Sequence, residues 1–404
     1  MKEASKEKPK RTGKRILMVA PQPWFRPRGT PFSVMHRIRA LLSAGHTIDL
    51  ATYPIGEDIP MPGLRIFRSP RAAFVNDVKI GPSIAKVFLD WKLYWHTRRL
   101  LADNEYDILH THEEAAFFGV GLAKKHKLLH VYDMHSSLPQ QLSNFKAYDL
   151  GLFRRFFRGQ ERRVLTTADG VITICQDLAD VAVPDCGETP HAMIENTGDD
   201  GTVFKEDGPS PRDEFGLTDK WVALYAGTFE TYQGLDLLLD AWKLVAQKAP
   251  NAHLLMVGGR PGQVEQYRAM ANTLGVESSV TFTGTVHPSR IPGYLRATDI
   301  IVSPRSRGTN TPLKIYSYLR SGVPLVATDK PTHTQTLTSE TAELVAPTPE
   351  GFANGILALH DDSEHARRIG DAGAKFATEH FSDEGYVAKV VDLYDRVLQR
   401  AGER

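Results

Sequence analysis

The stretch 304-PRSRGTNTPLKIYSYLRSGVPLVATD-329 contains a polar, glycine-containing loop, a helix-like segment and, after Ser-Gly-Val-Pro, a short apolar strand. A loop that leads into a helix leaves the first backbone N–H groups of the helix unpaired. Such helix starts bind anions, and phosphate is the commonest biological one. The stretch therefore predicts a strand-and-helix fold with an anion site at a helix start.

Short apolar strands alternate with helical segments in both halves of the chain. In the second half, strand-like runs such as WVALYAG and AHLLMVGG alternate with helical runs such as GLDLLLDAWKLVAQKAP. The first half begins with the strand RILMVAP, the loop QPWFRPRGTPFS, the helix VMHRIRALLSAGH and the strand TIDLATYP. This alternation predicts an α/β fold of two Rossmann-like domains, each a parallel sheet wrapped by helices.

A polar, turn-rich stretch from Gly198 to Lys220 separates the two series. Such a composition is typical of an interdomain linker. The predicted organisation is a flexible basic tail over 1–15, a first domain over 16–200, a linker over 201–220, a second domain over 221–380 and a closing helix over 381–404.

The composition argues against several classes of protein. A formal net charge of +1 disfavours a nucleic-acid partner, because nucleic-acid-binding domains carry a marked basic excess. Cys175 and Cys186 are the only cysteines, too few for a disulfide framework. The charged first residues lack the apolar core of a signal peptide, and no apolar run approaches the length of a membrane span. We therefore expect a cytoplasmic protein and leave open a contact with the inner face of the membrane.

Ligands of open parallel sheets bind at the carboxyl ends of the strands, so two such sheets would face each other across a cleft lined by polar loops. Five segments stand in an order that is typical of one family. In the first half they are RGTPFSVMHRIRALLSAGH, YDMHSS and MIENTGDD, and in the second half YAGTFETYQGLDLLLDAW and PRSRGTNTPLKIYSYLRSGVPLVAT. In these segments the chain resembles the GT-B glycosyltransferases of family 4, the large retaining group. The resemblance covers nearly the whole chain after the first fifteen residues.

The resemblance implies transfer of a sugar from a nucleoside diphosphate sugar to an acceptor hydroxyl, with the anomeric configuration retained. It implies a first domain that binds a sugar or lipid-linked acceptor and a second domain that binds the nucleotide-sugar donor, in the synthesis of a cell-surface polysaccharide or glycolipid. We expect no cofactor and no metal, because the cleft loops contain no Asp-x-Asp motif and a helix start with nearby cations can stabilise the departing diphosphate instead.

The chain departs from the family pattern at four positions. Thr228 and Gln233 stand where many members have an Arg and a Lys that clamp the diphosphate, and Thr309 and Ser317 stand where the family has its Glu-x7-Glu pair. Cations elsewhere in the second half could replace the lost charge, and they are Arg260, Arg305, Arg307 and Lys314.

The candidate catalytic residues are His135, Lys314 and Arg305. The candidate substrate-binding residues share a position in the loops that end strands, and they are Gly29, Thr30, Glu113, Asn196, Gly227, Thr228, Glu230, Gln233, Arg260, Val286, Gly308, Thr309, Asn310, Thr311 and Ser317. We further expect Thr311 or Asn310 to cap the helix that contains Lys314, with Pro312 in its first turn.

Each of these assignments has an alternative. His135 could be an ordinary loop histidine, with His110 or His112 in its place, and Lys314 could be a solvated helix lysine. The basic and aromatic segments VKIGPSIAKVFLDWKLYWHTRRLL and GLFRRFFRGQERRVL fit a core face with a solvated face, or contact with a membrane surface. At the level of function, the alternatives are a nucleotide-sugar epimerase and a donor-poor homologue that acts as a binding or scaffold subunit.

Overall fold

The computed structural model of the protein describes residues 13–26, 29–71, 84–137, 151–198, 208–308 and 310–403. Contacts within the chain divide it into two compact units. One comprises Met1–Glu195 together with Glu384–Arg404, and the other comprises Asn196–Asp383. The α/β architecture of two parallel sheets, predicted from the alternation of strands and helices, is confirmed. The predicted tail up to residue 12 lies outside the described residues.

Within the described residues, the first unit contains a seven-stranded sheet in which all neighbouring strands are parallel. Its strands are β1 (Arg15–Ala20), β2 (Thr47–Thr52), β3 (Leu64–Arg68), β4 (Ile108–His112), β5 (Leu129–Met134), β6 (Gly170–Thr173) and β7 (His191–Met193). They lie in the order β3-β2-β1-β4-β5-β6-β7, so the carboxyl ends of β1, β4 and β5 are neighbours at one edge. The central strands are buried almost throughout, as in a sheet covered on both faces.

Helices cover this sheet between successive strands. They are α1 (Gly29–Ser43), α2 (Ile84–Asp103), α3 (Ala115–His126), α4 (Gly151–Thr167) and α5 (Gln176–Cys186). Helix α1 begins at Gly29, four residues before the end of the loop expected from sequence, so Gly29 and Thr30 form its first turn. Pro31 fits there, because the first turn has no intrahelical partner for the N–H that proline lacks.

Over its described part, the second unit contains a six-stranded parallel sheet. Its strands are β8 (Trp221–Ala226), β9 (Ala252–Val257), β10 (Val280–Gly284), β11 (Ile300–Ser303), β12 (Leu325–Thr328) and β13 (Glu343–Val345), in the order β10-β9-β8-β11-β12-β13. Along β8, Ala223 and Tyr225 belong to one hydrophobic cluster while Val222 and Leu224 belong to another. Side chains of a strand alternate between faces, so this central strand supplies a core to both sides of the sheet.

The helices of the second unit follow the same pattern. They are α6 (Pro211–Glu214), α7 (Leu235–Lys248), α8 (Pro261–Leu274), α9 (Ile291–Arg296), α10 (Lys314–Ser321), α11 (Pro331–Thr334), α12 (Pro349–Asp361) and α13 (Ser363–His380), with short 3-10 turns at Thr231–Gln233, Glu277–Ser279 and Pro288–Arg290. The predicted linker over 201–220 is described from residue 208 onward, and that part packs into this unit. Arg212 donates to the Ala297 carbonyl and to Asp299, and Leu217 is buried.

The last helix, α14 (Asp383–Gly402), belongs mainly to the first unit, although the chain reaches it from the second. Its buried side chains lie on one face and are Tyr386, Val390, Leu393, Tyr394 and Val397. Gly170 at the start of β6 makes room for it, since a Cβ there would lie 2.6 Å from the Val397 side chain. The predicted closing helix is therefore part of the core of the first unit. Among the described residues, no helix has the length and apolarity needed to cross a membrane.

Candidate active site

Lys314 is the first residue of α10, and its ammonium group points into the carboxyl edge of the second sheet. The Nζ atom is buried and has no hydrogen-bond partner within the described residues. It lies 4.1 Å from the ring centre of Tyr225, and a Cβ on Gly227 would lie 3.2 Å from it. Gly227 follows β8 directly with a φ of +156°, so the chain can pass close to the ammonium group there. Lys314 and Gly227, both candidate site residues, thus lie close together in the second unit.

Arg305 adds a second cation to this site. Its guanidinium lies 5.2 Å from the ring centre of Tyr232, and its Nε donates to the Arg307 carbonyl at 2.9 Å. Gly308, at a φ of +105°, makes room for it, because a Cβ there would lie 2.4 Å from Nη2. Burial followed by the Arg305 charge lowers the pKa of Lys314 to about 7, and burial also lowers the pKa of Arg305. Two cations thus share one partly dehydrated site.

Hydrogen bonds from β12 and α11 fix the loop that contains Arg305. The Thr328 hydroxyl donates to the Arg305 carbonyl at 2.6 Å, and the Thr332 hydroxyl donates to the Asn310 carbonyl at 2.8 Å. The buried ring of His333 lies 2.9 Å from the Ser303 hydroxyl and 3.0 Å from the Thr328 hydroxyl. Because burial lowers the pKa of His333 to about 4, this histidine is neutral and forms hydrogen bonds without adding a third charge.

The predicted capping of this helix was wrong. Leu313 occupies the N-cap position in a helical conformation and forms no side-chain cap hydrogen bond, so Pro312 precedes the helix instead of standing in its first turn. The Thr311 hydroxyl lies instead 3.1 Å from that of Thr336. The chain is already wound before the helix, since the Ile315 N–H donates to the Pro312 carbonyl, and a wound N-cap cannot aim its side chain back at the first turn. Thr309 lies outside the described residues.

Two other predicted contacts come together after β8. Gln233 is buried, and its amide nitrogen lies 3.4 Å from the Thr228 hydroxyl. The Gln233 amide oxygen is buried and has no partner in the described part of the chain. Glu230 forms an ion pair with Arg260 at 3.1 Å, which already neutralises the Arg260 charge. Arg307 is exposed, so of the four proposed replacement cations Arg305 and Lys314 are the pair that the structure brings together.

The remaining predicted residues of the second unit have different surroundings. Val286 is half-buried and packs against a hydrophobic cluster, so its contacts are those of a core residue. Ser317 lies half-buried in α10, and the backbone of Gly198 approaches it so closely that a Cβ on Gly198 would lie 3.0 Å from the Ser317 Cα. Asn196 is buried at the start of the unit.

A second polar cluster lies at the carboxyl edge of the first sheet, around the fully buried pair of Arg37 and Asp133. The Arg37 Nε donates to Asp133 at 2.8 Å. His135, which follows β5, lies 3.4 Å from Asp133 and 2.9 Å from the Nδ1 of His112. His110 contacts the Tyr394 hydroxyl of α14 at 2.6 Å. Both histidines of β4, His110 and His112, are buried.

Charge in this cluster is confined to the ion pair. Burial lowers the pKa of His135 to about 4 and that of His112 well below its ordinary value. Burial alone would raise the pKa of Asp133, but Arg37 and the histidines hold it well below its usual range. At neutral pH, His135 is therefore an uncharged donor or acceptor, held by His112 and Asp133.

His110, His112 and Asp133 are close enough to hold a metal ion, since one ligand atom of each lies within 4.8 Å of the others. Arg37 already pairs with the single carboxylate of this group. A divalent ion would add its charge to a buried guanidinium with one carboxylate to balance both, which burial strongly disfavours. The residues present fit neutral histidines around one ion pair better than they fit a metal centre.

The other predicted residues of the first unit lie at the same sheet edge. Gly29 is exposed and Thr30 is half-buried in the first turn of α1. Glu113 follows β4 with a φ of +49°, an unusual conformation for a non-glycine residue, and its N–H donates to the Asp133 carbonyl. Glu114, its neighbour, forms an ion pair with Lys86.

Sequence reasoning missed Arg37, Asp133, Tyr225 and His333. For two of them a signal was present. Arg37 lies three residues after Val34 and four before Leu41, on the apolar side of α1, and Asp133 is the one carboxylate in the strand Leu129–Met134. A charge of each sign at positions expected to be buried indicates an internal ion pair. For Tyr225 and His333 no comparable signal exists, because an aromatic residue in a buried strand and a single histidine in a short helix are both ordinary.

Comparison with known proteins agrees with this arrangement. Residues 27–196 match the family model of Glycosyltransferase Family 4, and residues 220–362 match that of Glycosyl transferases group 1. Phosphatidyl-myo-inositol mannosyltransferase of Mycobacterium tuberculosis is 23% identical over 400 residues, covering 95% of this chain and 97% of the relative.

Solved structures show the same fold. Sucrose-phosphate synthase from Thermosynechococcus elongatus has a TM-score of 0.77 at 20% identity and covers 96% of this chain and 100% of its own. Anabaena HepE in complex with UDP and glucose has a TM-score of 0.72 at 18% identity and covers 95% of this chain and 99% of its own. The two family models match consecutive parts of the chain, one in each unit, and the structural neighbours span both. The chain belongs to the family 4, group 1 glycosyltransferases and is a glycosyltransferase of the GT-B fold.

Proposed function

We propose that this glycosyltransferase uses a nucleoside diphosphate sugar as donor, binds its diphosphate in the second unit, and transfers the sugar to an acceptor hydroxyl with retention and without a bound metal. The observation that carries the proposal is the buried Lys314 ammonium, which lacks a hydrogen-bond partner in the described residues and shares its site with Arg305. A buried cation without a counter-charge is costly. A diphosphate would supply both the charge and the acceptor oxygens that this site lacks.

The same two cations suit the chemical step. When the bond between the sugar and the diphosphate breaks, negative charge grows on the leaving phosphate oxygen. Cations already fixed in a partly dehydrated site stabilise that charge without having to reorganise. The Arg305 guanidinium is held by its bond to the Arg307 carbonyl and by the Tyr232 ring. The Lys314 ammonium lies over the Tyr225 ring, so both cations are positioned before the donor binds. This accounts for the loss of the family's cations at Thr228 and Gln233.

Relatives support the substrate classes. Solved HepE structures are complexes with UDP and glucose and with UDP-glucose, and the mannosyltransferase relative is named for phosphatidyl-myo-inositol. We therefore propose a nucleotide-sugar donor and a sugar or lipid-linked acceptor, in the synthesis of a cell-surface polysaccharide or glycolipid. In the first unit, neutral His135 would contact the transferred sugar or the acceptor by a hydrogen bond.

The test is a panel of UDP-, GDP- and ADP-sugars incubated with the protein in EDTA. We expect slow hydrolysis of at least one donor to the free sugar and the nucleoside diphosphate, because a transferase without acceptor leaks to water. The first-formed sugar should have the donor's anomeric configuration by NMR. Loss of turnover in EDTA that Mg²⁺ or Mn²⁺ restores would contradict a metal-free reaction.

The same panel separates the alternatives. An epimerase would return an isomerised sugar, and a binding or scaffold subunit would bind none of the nucleotides in calorimetry. The unpartnered Lys314 ammonium favours the transferase over the scaffold, because a site that binds no anion gains nothing from a buried, unpaired cation.

Proton uptake is a further expected property of donor binding. The pKa of Lys314 is about 7 in the free protein, and a bound diphosphate should raise it toward the ordinary lysine value. At pH 8 the free side chain is mostly neutral, so binding should take up about one proton, and affinity should weaken as the pH rises above 7.

Calorimetry with whichever of UDP, GDP or ADP binds, in two buffers of different ionisation enthalpy, measures this uptake. Lys314→Met is the control, since it keeps the length of the side chain and removes the titrating group. Uptake that persists in this variant would assign the proton to another group.

A further inference from the structure

Helix α2 presents an apolar stripe to solvent. Val87, Trp91 and Trp95 follow one another at four-residue spacing, and their exposed fractions are 70%, 56% and 45%. Residues four apart lie on one face of a helix, so these side chains form a continuous strip. We call Val87, Trp91 and Trp95 the α2 stripe.

The α2 stripe is not the face by which the helix packs. Leu89, Leu93, Leu100 and Leu101 are buried in a hydrophobic cluster of the first unit and attach α2 to the sheet. A helix packed on a globular core ordinarily exposes charged or polar residues on its outer face. Here the outer face carries two tryptophans, whose exposure in water is unfavourable.

Cations flank the stripe. The Arg98 guanidinium lies 5.0 Å from the ring centre of Trp95, and the Lys92 ammonium lies 5.2 Å from that of Phe88. Arg99, four residues after Trp95 on the same face, is 82% exposed and forms an exposed ion pair with Asp103 at 3.5 Å. Tryptophan rings with adjacent arginine and lysine heads suit the boundary between lipid headgroups and acyl chains.

The size of the stripe argues against a protein partner. The two half-exposed tryptophans and the exposed valine leave on the order of 100 Å² each, so the stripe offers roughly 300 Å² of apolar surface. A stable protein interface buries about 800 Å² per partner. A bilayer needs no matching surface of this size, since shallow insertion of a few aromatic side chains combines with attraction of cations to anionic lipid.

We propose that the α2 stripe binds the surface of a membrane that contains anionic lipid, with Trp91 and Trp95 inserted at headgroup depth and Arg98 and Arg99 facing the lipid phosphates. This contact is independent of the donor chemistry. It would bring the enzyme to the surface where a lipid-linked acceptor is found.

The test is co-sedimentation of the full-length protein with vesicles of phosphatidylcholine alone or with 30% phosphatidylglycerol. We expect binding to the anionic vesicles, weakened by salt, and a blue shift of tryptophan fluorescence on binding. Trp91→Ser/Trp95→Ser should bind the anionic vesicles at least tenfold more weakly.

The matched control is Phe156→Ser, which removes a 57% exposed aromatic residue from the other basic helix, α4. It should leave vesicle binding unchanged. Thermal melting and donor hydrolysis of both variants should equal those of the parent, so a failure of the donor proposal would not affect this result.

Three outcomes would overturn the proposal: no binding of the parent protein to anionic vesicles at low salt, equal binding by the double serine variant, or weakening by Phe156→Ser instead. If sedimentation velocity showed a dimer that only the double variant dissociates, the stripe would be an interface between two copies.

Discussion

Lys314→Ala is expected to lower turnover by hundreds-fold while the protein melts as the parent does. Removing a cation that faces the leaving group in a dehydrated site costs about 2–4 kcal/mol of transition-state stabilisation. The fold should tolerate the change, because burial and Arg305 disfavour the charged form of Lys314 and lower its pKa to about 7. The effect should therefore appear in the rate, measured as donor hydrolysis and as transfer.

Two further variants sharpen this result. Lys314→Arg should restore only part of the activity, because the ammonium lies between the Tyr225 ring and Gly227, where a planar guanidinium is too bulky. Lys375→Met removes a 76% exposed lysine of α13 and should leave the rate unchanged. A Lys314→Ala protein with near-parental turnover would show that this helix start does not hold the donor phosphates.

Arg37→Met is expected to lower the free energy of unfolding by about 3–5 kcal/mol, because it leaves the Asp133 carboxylate buried without its partner. Denaturant unfolding measures the change. The matched control is Arg99→Met, which breaks an exposed ion pair and should cost less than about 1 kcal/mol. Arg37→Met/Asp133→Leu should regain much of the loss, since it removes both charges.

The free energy of unfolding should change with pH in opposite directions in the parent protein and in Arg37→Met. With Arg37 present, the pKa of Asp133 is held low, so the ionised pair stabilises the fold above the pKa of the unfolded carboxyl and is lost as the pH falls. Without Arg37, burial should raise the pKa of Asp133 above the pKa of the unfolded carboxyl. Stability should then fall as the pH rises from the unfolded pKa through the raised folded pKa. A variant as stable as the parent at neutral pH would contradict a structural role for the pair.

The sequence by itself determined the two parallel-sheet units, the family and the helix start at Lys314. Apolar runs of strand length alternating with helical periods leave few other folds, because each element must bury its apolar side against a neighbour. Residue types alone were a weaker guide to where individual helices begin and how they are capped. Helix α1 begins at Gly29, inside the loop expected from sequence, whereas α10 begins at Lys314, two residues after Pro312, and the cap assigned to Thr311 or Asn310 was wrong.

Only the tertiary structure decided which charges meet. Lys314 and Gly227 lie on different elements, and Arg37, Asp133 and Tyr394 come from α1, β5 and the last helix of the chain. Whether a cation is neutralised, buried or left without a partner depends on groups brought together from distant segments, and the energy of a charge changes several-fold with that environment. The sequence located the candidate cations, whereas packing neutralised Arg260 with Glu230 and left Lys314 available to an anion.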